Sequence, residues 1–220
     1  MLIQISNVLD ENLTAELVDA TARDQGAFED GRRTAGWHAK AVKHNEQWNS
    51  AAASPLIGKV KDALLAHPVF RAAAMPKSFV KLLLSRYRPG MSYGRHVDDA
   101  LMGGIRTDLS FTVFLSDPES YDGGALVIEG NAGDTEVKLG PGSLVLYPTT
   151  SLHRVSEVTS GERLAVAGWV RSFIRSHEDR ELLFDLENVI AGLRQAGAGR
   201  GIIDPLLKVK ANLLRRWADD

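Results

Sequence analysis

His96-Val97-Asp98 sets an imidazole and a carboxylate two residues apart. On a strand, residues i and i+2 point to the same face, so both ligand atoms can reach one metal ion. A distant second histidine would complete the facial triad used by non-haem Fe(II), which leaves open positions on the ion. His153 is the candidate, 55 residues beyond Asp98, just after the strand-and-turn stretch Gly142-Ser-Leu-Val-Leu-Tyr-Pro148. Arg163 follows ten residues later and opens the run Arg-Leu-Ala-Val-Ala-Gly-Trp169. Its side of that strand would carry Ala165, Ala167 and Trp169. A buried Arg needs an anionic partner, and small neighbours leave room for a ligand carboxylate held in a forked, charge-assisted pair.

Each of these residues also has a plainer reading. His153 could be a satisfied polar residue at a strand end, and Arg163 could pair at the surface with Glu162. Two further patterns, His44-Asn45-Glu46 and His177-Glu178-Asp179, share the His-x-acid spacing. They fall in or beside predicted helical segments, where residues i and i+2 diverge, and read as solvated surface.

The elements that must position these groups divide the 220 residues into three parts. Residues 1–77 read as a mostly helical support region. Thr14 is a predicted cap for a helix carrying Leu17 and Val18. Ser54-Pro55 is a stronger start signal, with Ser as N-cap and Pro at the first helical position, and His67-Pro68 should end that helix. Thr34 to Lys43 is ambiguous and could include an early strand. Residues 78–176 change to short apolar or alternating runs: Ser78–Tyr87, Thr107–Leu115, Gly124–Ile128, Glu136–Leu139, Gly142–Tyr147 and Arg163–Val170. Turn signals at 88–90, 116–118, 122–124 and 140–142 separate them, as in an antiparallel barrel or sandwich. Residues 177–220 return to helix, with an apolar stripe of Leu182, Leu183, Leu186, Val189, Ile190 and Leu193. A last helix is predicted to start at Asp204-Pro205 after the break at 196–201.

Composition narrows the chemistry. Hydrophobic residues at 44% and charged residues at 25% exclude wholesale disorder. Lys+Arg 26 against Asp+Glu 28 gives a net charge of −2, so nothing points to nucleic acid or an anionic membrane as partner. With no cysteine, a disulfide, an iron–sulfur cluster and a thiol nucleophile are excluded, and any metal must be held by His, Asp or Glu. No cationic segment followed by an apolar run opens the chain, and no apolar stretch nears the ~18 residues of a membrane span. The expected location is cytoplasmic.

The ordered set of His-x-Asp, strand-rich stretch, His, and Arg ten residues on resembles the Fe(II)- and 2-oxoglutarate-dependent dioxygenase superfamily of the prolyl 4-hydroxylase-like type. The chain is more closely similar to the bacterial PKHD-type hydroxylases, the PiuC/YbiX group associated with iron uptake. The resembling segments include Val42-Lys-His-Asn-Glu-Gln47, Arg86-Tyr-Arg-Pro-Gly-Met-Ser-Tyr-Gly-Arg-His-Val-Asp98, Arg106-Thr-Asp-Leu-Ser110, Tyr121-Asp-Gly-Gly124, Ser151-Leu-His-Arg-Val155 and Asn212-Leu-Leu-Arg-Arg-Trp217. One departure is a short stretch around Asn131–Glu136, near where a substrate would enter.

The resemblance implies an α+β fold: a double-stranded β-helix (jelly-roll) core, N-terminal helices bracing one sheet, and a C-terminal helical extension. It implies Fe(2+) on the catalytic ligands His96, Asp98 and His153, and 2-oxoglutarate held by Arg163, with O2 as second cosubstrate and ascorbate as a family activator. The implied reaction couples oxidative decarboxylation of 2-oxoglutarate to hydroxylation of a small-molecule or peptidyl substrate, linked in the family to iron homeostasis and siderophore metabolism. Tyr87, in Tyr-x-Pro-Gly, is a second expected contact to 2-oxoglutarate. Tyr93 and Arg95 flank the ligands as entrance residues, and Ser110 and Thr112 share a face that could touch the cosubstrate. A homo-oligomer through the C-terminal helices is left open by the spacing. The competing function is a non-catalytic cupin-like metal or siderophore-binding sensor module, which has no need of Arg163. A zinc hydrolase ranks below it, since no general base is evident near the ligands.

Overall fold

Period-two alternation in the middle of the chain builds two facing antiparallel sheets. The computed structural model describes residues 1–219. The first third contributes β1 (Ile3–Ile5), α1 (Glu11–Arg23), β2 (Phe28–Asp30), α2 (Trp37–Lys40), β3 (Lys43–His44), β4 (Glu46–Trp48), α3 (Ala53–Ala66) and α4 (Pro68–Ala74). The middle contributes β5 (Pro76–Tyr87), β6 (Ser92–His96), β7 (Leu101–Met102), β8 (Ile105–Arg106), β9 (Leu109–Phe114), β10 (Asp122–Gly123), β11 (Leu126–Ile128) and β12 (Thr135–Val137). It continues with β13 (Leu144–Pro148), β14 (His153–Val155), β15 (Val158–Ser160) and β16 (Arg163–Ser172), and α5 (His177–Gln195) and α6 (Arg200–Trp217) follow.

The larger sheet has the order β1-β13-β9-β16-β5-β4-β2, and the smaller one β12-β11-β14-β6-β3. Strands distant in sequence lie side by side, which is the jelly-roll arrangement. The first third is therefore not only helical. It supplies three strands of the larger sheet and one of the smaller, because short polar segments such as 43–48 gain their backbone partners from neighbouring strands, here β6, β5 and β2.

Alternation sorts the larger sheet's two faces. Phe111, Val113, Leu144, Leu146, Leu164 and Val166 point outward and pack with Leu17 of α1, Val60 and Leu64 of α3, and Phe70 of α4. Burying each large side chain of this layer is worth roughly 1.5–3 kcal/mol. Phe114, Val145 and Tyr147 point inward against Leu126, Ile128 and Val155 of the smaller sheet.

Helix ends differ from the sequence expectation in detail. Asp10, not Thr14, caps α1: its carboxylate accepts from the Leu13 N–H at 2.7 Å. The Thr14 hydroxyl instead donates to the Asp10 carbonyl. α3 starts at Ala53, with Ser54 making no cap bond. His67-Pro68 ends α3 as expected, but it also starts α4. The residue before Pro is held extended (φ −75°, ψ 118°), and Pro fits the first helical position. At the C-terminal end, Leu183 and Ile190 are buried whereas Leu182 and Val189 are more than half exposed, so the apolar stripe is narrower than its sequence spacing indicates. α6 begins at Arg200, ahead of Asp204-Pro205. Among the described residues, no helix is long and apolar enough to cross a membrane.

Candidate metal centre and cosubstrate pocket

β6 ends on His96 and β14 begins on His153, and the sheet register pairs these two residues directly. Their ring centroids are 4.3 Å apart. His96 Nδ1 lies 2.8 Å from the Gly94 carbonyl and His153 Nδ1 lies 3.0 Å from the Ser151 carbonyl. Each carbonyl requires an N–H donor, so the protons sit on Nδ1 and the Nε2 lone pairs are left free to coordinate. Those lone pairs converge with Asp98: His96 Nε2 to Oδ1 and His153 Nε2 to Oδ2 are both 3.7 Å. The three ligand atoms lie within 4.8 Å of one another. His96 Nε2 is buried without a hydrogen-bond partner. Burial, with His153 beside it, holds His96 down at about 4, so its ring is neutral near pH 7. Two imidazoles and one carboxylate, with an orphaned buried nitrogen facing their centre, fit a divalent iron with open positions.

Asp98 reaches this point differently from the sequence argument. β6 stops at His96, and Asp98 lies two residues beyond it in irregular chain. Its carboxylate is aimed by Ser110 Oγ, which donates to Oδ2 at 2.7 Å, with Thr149 Oγ1 3.2 Å behind. Ser110, expected beside the cosubstrate, thus grips a ligand. The loop is pinned by the Thr107 hydroxyl donating to the Asp99 carbonyl.

Between the two strands, two residues of β6, Gly94 and Arg95, oppose one of β14, Arg154: His96 pairs with His153 and Tyr93 with Val155. Such a bulge changes which side chains share a face. It puts Tyr93 on the side of His96, where the rings stack at 3.7 Å. It turns Arg95 away, into a double hydrogen bond with Glu129. Arg95 is therefore not an entrance residue.

Arg163 opens β16 opposite Tyr87 of β5. It is 2% exposed, and its guanidinium carbon lies 5.1 Å from the centre of the Tyr87 ring and 5.4 Å from that of Phe114. Its Nε has no hydrogen-bond partner. Glu162 does not pair with it and instead approaches Arg86 at 3.8 Å. A buried guanidinium with no carboxylate in salt-bridge contact among the described residues is an incomplete anion site. Ala165, Ala167 and Trp169 follow it along the wall of a pocket that runs back to His96, Asp98 and His153. Tyr87 is buried beside it, and burial pushes its hydroxyl up, so it stays a protonated donor.

Sequence reasoning missed a polar row elsewhere on the lining of this pocket. Lys43, Asn45 and Gln47 are all buried and line the same pocket. Every second residue from 43 to 47 faces inward, but all five are polar, so the sequence holds no apolar alternation to mark the row. His44 lies outside this row, on a strand rather than a helix, and is exposed. Glu46 next to it is taken up by Arg86 and Arg88. His177 starts α5 and faces the N-terminal amine at 2.8 Å.

Comparison with known proteins follows the same outline. The family described as the 2OG-Fe(II) oxygenase superfamily matches residues 82–171. The PKHD-type hydroxylase C-terminal domain matches residues 178–219. A PKHD-type hydroxylase of Parvibaculum lavamentivorans is 53% identical over 223 residues, covering 100% of both chains. One of Maricaulis maris is 51% identical over 221 residues, again covering 100% of both. Among solved structures, a Pseudomonas putida prolyl-4-hydroxylase superposes with TM-score 0.58 at 22% identity, over 78% of this chain and 92% of that one. A Trichoplax adhaerens prolyl hydroxylase, solved with a hypoxia inducible factor peptide fragment, gives TM-score 0.59 at 16% identity over 77% and 82%. Likeness at these identities speaks to the fold alone.

Proposed function

Because the chain belongs to the PKHD-type hydroxylases of the 2OG-Fe(II) oxygenase superfamily, and so is a 2-oxoglutarate-dependent dioxygenase using Fe(2+) and O2, we propose that His96, Asp98 and His153 hold its iron. Arg163 and Tyr87 hold the far carboxylate of 2-oxoglutarate. Iron bound there supplies the oxidative decarboxylation of 2-oxoglutarate that delivers an oxygen atom to a C–H bond of the substrate.

The residues have separable tasks. The Gly94 and Ser151 carbonyls fix both imidazole tautomers, and Ser110 fixes the carboxylate. Arg163 sets the depth to which the cosubstrate enters, since the forked guanidinium orients a carboxylate as well as binding it. Tyr147, edge-on to His153 at 5.1 Å, and Tyr93, stacked on His96, keep water from the flanks of the imidazoles. The observation that carries the assignment is the convergence of three candidate ligand atoms in one pocket with a buried guanidinium that has no carboxylate in salt-bridge contact among the described residues.

Anaerobic titration with Fe(II) and 2-oxoglutarate, followed by the visible metal-to-ligand charge-transfer band, tests it. Wild type should develop the band. Arg163→Ala should need at least about tenfold more 2-oxoglutarate while still binding iron, the size expected for a lost charge-assisted bond. A variant that titrates like wild type would overturn the role of Arg163. His96→Ala and Asp98→Ala should bind no iron, and full iron binding in either would overturn the ligand set.

A further inference from the structure

A second cavity adjoins the first, a groove of about 540 Å³. Lys43, Tyr93, Asp98 and Trp169 line both spaces, so the groove opens onto the candidate metal ligands. Its lining includes the apolar Val80, Leu101 and Ile105. Val97, Leu101 and Ile105, at 42%, 64% and 38% exposure, all line the groove, so its apolar surface is a patch rather than one stray side chain.

The groove carries three cations, Arg33, Lys43 and Lys81. Arg33 is paired with Glu29 at 2.6 Å. Lys43 and Lys81 have no carboxylate in salt-bridge contact among the described residues. Lys43 is only 6% exposed. Its ammonium donates to Thr34 Oγ1 at 3.3 Å and lies 5.1 Å from the centre of the Tyr93 ring, which stacks on His96. Burial and the neighbouring Lys81 together push Lys43 down to about 8. Asp98 attracts it from further off, but its oxygens are turned to the two imidazoles and Ser110. Asp99, the groove's other carboxylate, is packed against the backbone of Gly36. A buried ammonium that shares a groove with a second unpaired one is costly unless an anion joins them.

We infer that the primary substrate is a small carboxylate with an apolar body, its carboxylate held between Lys43 and Lys81 and its apolar part laid along Val80, Leu101 and Ile105. This rests on the reading above of where the iron sits. A carboxylate could also come from 2-oxoglutarate. The geometry favours the primary substrate, because Lys81 lines only the outer groove and Arg163 only the inner pocket.

The test uses phenylacetate and its neutral counterpart phenylacetamide as probes, titrated calorimetrically into anaerobic enzyme loaded with Fe(II) and 2-oxoglutarate. Wild type should bind phenylacetate at least about tenfold more tightly than the amide, the size of a charge-assisted hydrogen bond. Lys81→Gln and Lys43→Gln should each erase the preference, and Lys81→Arg should retain it. Since Lys81 is not fully buried, its variants guard against a folding defect in Lys43→Gln. Equal binding of the two probes, no binding of phenylacetate, or a preference surviving Lys81→Gln would overturn the inference. So would a loss of 2-oxoglutarate affinity in Lys81→Gln of about tenfold, read from the charge-transfer band, since it would give the carboxylate to the cosubstrate. Preference for phenylacetate without any band in wild type would instead overturn the proposed iron and cosubstrate site and leave the groove assignment standing.

Discussion

A single hydroxyl decides where Asp98 points. The strand has ended before it, so the ligand's aim comes from Ser110 rather than from the pleat. Removing that donor in Ser110→Ala should weaken Fe(II) binding by about tenfold, in the range seen when a group orienting a metal ligand is lost, with the melting temperature nearly unchanged. Metal titration beside thermal melting checks this, and undiminished affinity would refute it. Lys43 makes a prediction of a different kind. Its folded value of about 8 lies below its ordinary 10.5. Between those values the unfolded chain binds a proton that the folded chain does not, so stability rises with pH there. Below about 8 both states are protonated and the burial cost is borne in full. The difference in unfolding free energy between Lys43→Met and wild type should therefore shrink from about pH 7 to about pH 9.5 as wild type gains, measured by urea denaturation. A difference constant with pH would show that Lys43 keeps an ordinary affinity for its proton. That the residue types at 96, 98 and 153 could share a metal was legible from spacing. Lys43 was not, because a lysine in a polar stretch carries no local mark of burial.

At the scale of elements, β16 does two jobs at once. One face, from Arg163 through Ala165 and Ala167 to Trp169, lines the pocket, and the other, through Leu164 and Val166, packs under the helices. Gly168 lies on the helix side, where an added Cβ would come 2.3 Å from Phe111 Cζ. Gly168→Ala should destabilise the protein by about 1–3 kcal/mol through overpacking, with 2-oxoglutarate affinity affected less than by any change at Arg163. Denaturant unfolding together with the charge-transfer titration separates the two effects, and unaltered stability would mean that Phe111 moves aside freely. The strand and its inward row were readable from alternation in Arg163–Val170. The bulge in β6 was not. It depends on how β14 registers against β6, and it alone explains why Tyr93 stacks on His96 while Arg95 points away.

For the whole molecule, the question is whether the C-terminal helices unfold with the barrel. Leu183 of α5 is fully buried and, with Pro68 and Arg71 of α4, borders a shared cleft. Behind α6, the chain returns to the barrel: the Asp219 N–H donates to the Phe173 carbonyl at 2.7 Å, and its carboxylate meets Arg106 of β8 at 2.6 Å. Leu183→Ala should therefore lower the stability of one cooperative transition by about 2–4 kcal/mol. Two separated transitions by calorimetry would show that 177–220 forms its own unit.

Properties encoded over a few neighbouring residues could be read directly from the chain. These are the runs of alternating apolar residues and the turns that break them, the helical stripe after residue 177, and the residue types able to bind a metal and a carboxylate. The tertiary structure alone decided which polar groups meet. His96 faces His153 through pairing across 57 residues, Glu162 goes to Arg86 rather than to Arg163, and Lys43 is closed in above Tyr93. The physical reason is that period and propensity act within an element. Register between strands, and the burial of a charge, are set by every element packed around them.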